Sequence, residues 1–331
     1  MNIAILGAGA WGTALAISLS ARHRVTLWEY DAAQAAAVAA EQCNRRYLPE
    51  VALPRELRIT GDIRFALNDA DLALVATPVS ALRPTLKQIA QAPTPLPVIW
   101  ACKGFEAKSS QLPHQVVEEI LPPDFPRGVL SGPSFALEVA RGQPTALTLA
   151  STDGEFARQT AQSLHHARLR IYSSTDVVGV EVGGAVKNVM AIAAGIADGL
   201  GFGYNARAAL ITRGLAEMTR LGLKLGGCAE TLGGLSGAGD LILTCTGDLS
   251  RNRQVGLLLA QGQALPDILH QLGHVAEGVY TVREAHNLAQ RLGVDMPICA
   301  AVYSVLYEQV PAVSAVEALL NRAPNSEFVN Q

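Results

Sequence analysis

The chain has 331 residues, 49% of them hydrophobic and 17% charged, enough to build two domains with large apolar cores. Its formal net charge of −3, with no run of Lys or Arg, argues against nucleic acid or an anionic membrane surface as a partner, while a small anion remains open at a local cluster. Five scattered cysteines, Cys43, Cys102, Cys228, Cys245 and Cys299, form no CxxC pair and no Cys/His array at zinc spacing, so buried thiols in a reducing compartment are expected and a metal is not. The start MNIAILGAG lacks a basic leader, and no uninterrupted apolar run reaches the about 18 residues of a membrane span. The expectation is a cytoplasmic, soluble protein with no membrane insertion.

Residues 2–6 predict a short apolar strand that runs into Gly7-Ala8-Gly9-Ala10-Trp11-Gly12 and then into a helical stretch, 13–20. This is GxGxxG in its strand-turn-helix setting. Gly7 permits the tight turn, Gly9 lets backbone approach a pyrophosphate, and Gly12 lets the helix pack on the strand while its first amides face the phosphates. A second strand, 25–28, ends in Trp28-Glu29-Tyr30-Asp31, where a carboxylate favours a ribose hydroxyl over a 2′-phosphate and so leans toward NAD. Arg45 and Arg46, in reach of the same pocket by sequence, keep NADP open.

Further strands are predicted at 71–76, 98–102, 128–130 and 146–150, with an edge strand at 168–172, and helices fall between them. Such alternation implies a mostly parallel sheet with ligands at the carboxyl ends of its strands. Lys103 falls at one such end, and the turn Ser131-Gly132-Pro133-Ser134 at another, leading into a helix over 137–141. Each also has a plain reading, as a strand-end charge and as loop punctuation. His165 and His166 have no evident partners and are expected to be exposed or structural.

Near Ser173 the pattern changes, which predicts a dinucleotide-binding domain over 1–173 and a helical substrate-binding domain over 174–331. Helices are expected at 178–200, 206–223, 251–261 and 279–291, with a frayed tail from 322. The first of them holds a single ammonium, Lys187, in the apolar run Gly183–Ala194. Such a Lys lines a cavity, pairs with a carboxylate or snorkels from a core edge, and burial would lower its pKa toward neutrality, where it can exchange protons. The run 233–240 reads as a glycine-dense loop delivering Asp240, a carboxylate able to orient that ammonium. Ser250 is a plausible N-cap for the helix opening with Arg251 and Asn252, so outward-pointing amides and a guanidinium fork make a phosphate-sized anion the natural guest.

These motifs, GAGAWGTALA, NRRYLP, CKGFE, SGPSFALEVARG, GVEVGGAVKNVMAIAAGI, LSGAGDLILTCTGDLSRNRQVG and VAEG, follow one another over nearly the whole chain. In them the chain resembles the bacterial-type NAD(P)-dependent glycerol-3-phosphate dehydrogenases. The resemblance implies Lys187 as the general acid/base that protonates the carbonyl oxygen of dihydroxyacetone phosphate as hydride arrives. It implies Lys103 as a group that binds and polarises substrate, with Gly132 and Ser134 lining the pocket, Asp240 holding Lys187 and Thr244 close by. Ser250, Arg251 and Asn252 would grip the substrate's end, and Lys103, Arg251, Trp11, Tyr30, Ala136, Val275 and Glu277 would contact the dinucleotide beside the glycines. Tyr30 stands where many members carry Arg or another basic residue, so the cofactor expectation is NAD or NADP with a lean to NAD. Helical second domains of such reductases often dimerise, which makes a homodimer part of the same expectation, and the product would feed glycerophospholipid synthesis.

The fold expected is thus an α/β Rossmann-type doubly wound parallel sheet followed by an all-α domain. A β-hydroxyacid or ketopantoate-type reductase shares that plan but takes a carboxylate and has no use for a phosphate site at Ser250–Asn252. A nicotinamide-sensing binding protein would leave Lys103, Lys187 and Asp240 without a role.

Overall fold

The computed structural model describes residues 1–92, 95–272 and 276–322. Among them the N-terminal half runs β1 (Asn2–Leu6), α1 (Ala10–Ser20), β2 (Arg24–Trp28), α2 (Ala32–Glu41), β3 (Arg58–Thr60), α3 (Ile63–Leu67), β4 (Leu72–Val75) and α4 (Val79–Ile89). It continues with β5 (Val98–Trp100), α5 (Pro113–Ile120), β6 (Arg127–Ser131), α6 (Ala136–Ala140), β7 (Thr145–Ala150), α7 (Gly154–Leu164) and β8 (Leu169–Ser174). Helices then take over: α8 (Val177–Gly199), α9 (Gly203–Lys224), α10 (Ala229–Leu232), a π-helical turn (Leu235–Gly239), α11 (Asp240–Thr246) and α12 (Arg251–Ala260). The last are α13 (Leu265–Leu272), α14 (Glu277–Leu292), α15 (Pro297–Tyr307) and α16 (Ala312–Leu320).

The strands form one sheet in the order β3-β2-β1-β4-β5-β6-β7-β8, parallel throughout except for the β6–β7 pair. Successive residues point to opposite faces, and both faces are covered, so β1 is apolar along its length. Ile3 and Ile5 join Leu27, Leu74 and Ile99 on one face, while Ala4 and Leu6 join Val75, Val98 and Trp100 on the other. This is a Rossmann-type doubly wound sheet, and the order reverses between β1 and β4, which opens a crevice at their carboxyl ends.

In the helical half, α8 is buried almost end to end, from Val177 to Ala197. It is long and apolar enough to cross a membrane by length and composition, yet 94% of its most apolar window is buried inside the protein. An all-round apolar helix is a core helix when others cover it, and here α9, α11, α12, α14 and α15 do so. Its approach to α12 is backbone to backbone. A Cβ on Gly195 would sit 2.0 Å from the Arg253 carbonyl oxygen, and one on Gly256 would sit 2.1 Å from that of Ile192.

Three expectations change. The glycine-dense stretch 233–240 is not a loop but the π-helical turn leading into α11, and a Cβ on Gly237 would lie 1.9 Å from the Leu232 carbonyl oxygen. Glycines there let the turn wind tightly against α8 rather than keep it loose. The short strand β3 and the helices α13, α15 and α16 were not read from the sequence, being too short or too uniformly apolar for a period to stand out. His166 has a partner after all: its Nε2 lies 2.9 Å from Ser18 Oγ of α1, a contact 148 residues away in sequence.

Candidate active site

Lys187 sits in the middle of α8 and is 7% exposed. Its Nζ donates to Asp240 Oδ1 and to Thr244 Oγ1 at 3.0 Å. Asp240 is the first residue of α11 and is 1% exposed, and its other oxygen, Oδ2, accepts from Lys103 Nζ at 2.6 Å. Lys103 follows β5 and donates again to the Gly132 carbonyl, 3.2 Å away at the end of β6. Two ammonium groups from opposite halves of the molecule therefore share one buried carboxylate.

The Thr244 hydroxyl donates to the Asp240 carbonyl at 2.6 Å, so it meets Lys187 as an acceptor. Each ammonium has three donors. Two are taken on Lys187 and two on Lys103 among the described residues, which leaves each with one N–H for a ligand oxygen. Gly184, one turn before Lys187, makes the arrangement possible, because a Cβ there would lie 2.9 Å from Ser131 Oγ and 3.4 Å from the Lys103 stem.

Burial drives Lys187 down, the Asp240 charge holds it up and the Lys103 charge pushes it down again, with the result that its pKa falls to about 8. Glu277, at the start of α14, is half-buried, and desolvation raises its pKa against the opposing pull of Arg251, Lys103 and Lys187. Glu277 is thus within electrostatic reach of both ammoniums and of Arg251.

The start of α12 meets the same centre. Ser250 Oγ caps it by accepting from the Arg253 amide at 3.2 Å. Asn252 is buried, and its Nδ2 donates to Asn188 Oδ1 at 2.9 Å while its Oδ1 accepts from the Gly278 amide at 3.1 Å. Asn188, passed over in the sequence, thus ties α12 and α14 to the helix of Lys187. Its only signal was adjacency to that Lys. Arg251 is exposed and makes no ion pair among the described residues.

Across the crevice lies the glycine turn. Gly7 has φ +113° and a Cβ there would sit 2.9 Å from the Thr77 amide nitrogen, while one on Gly12 would sit 1.9 Å from the Gly7 carbonyl oxygen. Gly9 differs, having open space where its Cβ would be. No side chain caps α1, so its first amides face that space. Such a cradle fits a pyrophosphate. Asn44, from the NRRYLP stretch, braces the turn by donating to the Ala8 carbonyl and to Thr13 Oγ1, both at 2.8 Å. The sequence reading missed it because its partners lie 31 and 36 residues away. Trp11 and Ala136 pack into one apolar cluster between α1 and α6, and Trp11 Nε1 is buried with no partner among the described residues.

Ser134 Oγ donates to the Gly132 carbonyl at 3.1 Å, on the same oxygen that Lys103 uses. Tyr30 is 83% exposed and stands edge-on to Trp28. Asp31 is committed to capping α2, through the amides of Ala33 and Gln34. Arg45 pairs with Glu41, and Arg45 and Arg46 line a cavity of about 310 Å³ beside α2. Val275 lies outside the described residues.

Family models for the N-terminus and the C-terminus of NAD-dependent glycerol-3-phosphate dehydrogenase match residues 2–157 and 176–317. The chain belongs to this family. The glycerol-3-phosphate dehydrogenase [NAD(P)+] of Nitrosospira multiformis is 63% identical over 99% of this chain and all of its own length. That of Nitrosomonas europaea is 61% identical over 99% of both. Among solved structures, the glycerol-3-phosphate dehydrogenase of Coxiella burnetii superimposes with a TM-score of 0.93 at 42% identity, covering 97% of this chain and 99% of that one. A ketopantoate reductase from Ralstonia eutropha, at 15% identity and a TM-score of 0.60 over 96% of this chain and all of its own, shares the fold alone.

Proposed function

We propose that the protein is an NAD(P)-dependent glycerol-3-phosphate dehydrogenase that interconverts dihydroxyacetone phosphate and sn-glycerol 3-phosphate. The observation that carries the reading is the pair Lys187 and Lys103 on the single buried carboxylate of Asp240, each keeping one N–H free of protein acceptors among the described residues. A bound reduced nicotinamide supplies the hydride. Gly7, Gly9 and Gly12, with the first amides of α1, would hold its pyrophosphate, and Trp11, Tyr30, Lys103, Ala136, Arg251, Val275 and Glu277 are the other proposed contacts.

Lys187 gives its proton to the carbonyl oxygen during reduction and takes it back during oxidation, a role its pKa of about 8 suits. Lys103 directs its remaining donor at the same oxygen and so stabilises the charge that develops there. Asp240 keeps both ammoniums aimed, and Thr244 fixes the Lys187 rotamer from the side. Gly132 and Ser134 form the wall beside Lys103. Ser250, Arg251 and Asn252 receive the phosphate at the amino end of α12, where the first amides of the helix and the Arg251 guanidinium would meet it. The phosphate is remote from the hydride, so its binding energy positions the carbonyl.

The lean toward NAD rests on the carboxylate of Glu29 at the end of β2 and on the engagement of Arg45 with Glu41. A cytoplasmic enzyme, working as a homodimer and feeding glycerophospholipid synthesis, completes the reading. The test is the initial rate of NADH and of NADPH oxidation with dihydroxyacetone phosphate, beside the unphosphorylated ketone and a 2-keto acid. Fast turnover that depends on the phosphate, with NADH ahead of NADPH, is the expected outcome. Turnover of the keto acid without the phosphorylated ketone would move the protein to the carboxylate reductases.

A further inference from the structure

A second charged cluster lies on the same pair of helices, three turns along α8 from Lys187, a separation of about 16 Å at helical rise. Asp198 Oδ2 accepts from Arg253 Nε at 2.8 Å and from Arg207 NH1 of α9 at 3.0 Å, and Arg253 NH2 lies 2.8 Å from the same oxygen in the ion pair. Arg253 NH1 reaches the other way, to Asp248 Oδ1 at 3.0 Å. The Asp248 side chain is otherwise in solvent, at 96% exposure, whereas those of Arg253 and Asp198 are each 12% exposed. Gln254 Nε2 donates to the Asp248 carbonyl at 2.9 Å and closes the same turn.

Each of the three guanidinium nitrogens of Arg253 therefore faces a carboxylate, and its charge is paired within the protein. Its effect is geometric. The turn from Gly247 to Ser250 and the first residues of α12 are held from behind by Arg253, and Arg253 is held by α8. The backbone contact at Gly195 and Gly256 stops α12 from sliding. It does not by itself fix how the turn before α12 folds, which is what Arg253 and Asp248 settle.

We propose that Asp198 and Arg253 are positioning residues that set the anion-binding start of α12, with Ser250, Arg251 and Asn252, at a fixed offset from Lys187. The proposal rests on reading that helix start as the site of the substrate phosphate. Neither residue touches substrate. Their loss loosens the grip on the phosphate end and leaves the carbonyl end, built from Lys103, Lys187 and Asp240, in place.

The experiment measures KM and kcat for dihydroxyacetone phosphate and kcat/KM for unphosphorylated dihydroxyacetone in Asp198→Asn, Arg253→Gln and Arg253→Lys, with the circular-dichroism spectrum as a control for an intact fold. The expected result is a roughly tenfold or larger rise in KM for the phosphorylated ketone, the scale of a sub-ångström to one-ångström misplacement. The circular-dichroism spectrum and kcat/KM for dihydroxyacetone stay at the unmodified values. Arg253→Lys recovers part of the loss, because it keeps the charge on Asp198 without the fork. A parallel fall with both ketones, or no change in KM, overturns the proposal. Should the unmodified enzyme treat the two ketones alike, the phosphate reading itself fails, and that is visible before any variant is made.

Discussion

Lys187 is poised by three neighbours acting in opposite senses, and the balance is measurable. Reduction needs the ammonium as a proton donor, so kcat/KM for the ketone should be high below about pH 8 and fall above it, while oxidation of the alcohol, which needs the amine, should rise through the same pH. Asp240→Asn removes the charge that holds the pKa up and leaves Lys103, which pushes it down, so the reduction limb should move to lower pH. Lys187→Ala should lose on the order of 10²–10⁴ in turnover while nicotinamide binding persists. Profiles that keep their midpoint in the Asp240 variant would show that another group titrates. At this scale Lys187 and Asp240 were legible as chemistry from residue type and setting, while Lys103 read equally as a strand-end charge and took its role from the resemblance. The sharing of one carboxylate by two ammoniums was not, since Lys103 and Asp240 stand 137 residues apart.

At the scale of elements, α15 begins with amides that no local side chain caps. Glu217 of α9 supplies the missing acceptor: its carboxylate takes the Ile298 amide at 2.7 Å and the Cys299 amide at 3.1 Å. Burial outweighs those two hydrogen bonds and raises its pKa to about 7. A carboxyl whose folded pKa lies above the unfolded value contributes stability that is complete below about 4.5 and is lost as pH rises through about 7. Urea unfolding of the protein and of Glu217→Gln at pH 5 and pH 8 should therefore give a stability difference that moves by up to about 3 kcal/mol against the natural protein as pH rises. A difference independent of pH would mean that the carboxyl does not titrate in this range. The same element-level logic explains why the run 233–240 misled. Glycines mark loops in an isolated sequence, but here Gly237 lets the chain wind back onto the Leu232 carbonyl, and Gly183 of α8 lets that turn come within backbone distance of the helix.

Across the whole molecule, sheet and helices are joined by a polar contact in an apolar seam. Glu181 of α8 is 4% exposed and accepts from Trp100 Nε1 at 2.7 Å, from the His114 amide at 2.9 Å and from His114 Nδ1 at 2.5 Å. Burial lowers the His114 pKa, but the hydrogen bond and charge of Glu181 outweigh it, while burial raises Glu181 against His114 and Trp100, so the pair holds a proton between them. His114→Ala strands the carboxylate, and the expected loss in calorimetric stability is about 3 kcal/mol at pH 7.5. That loss should shrink at pH 5, where Glu181 without its partner takes up a proton. An equal loss at both pH values would assign the effect to packing rather than charge.

The sequence by itself determined the order and kind of most elements, the glycine turn and the presence of an unusual Lys in an apolar helix. These follow from local rules: strand and helix periods, the conformational freedom of glycine, and the cost of burying a charge. Only the tertiary structure decided that Asp240 serves two ammoniums, that Asn44 braces the glycine turn and that Glu217 caps a helix 81 residues away. Each is a hydrogen bond between segments far apart in the chain. No periodicity or propensity encodes its partner, because the partner is chosen by how apolar surfaces pack, and the polar groups then pair with whatever that packing brings within reach.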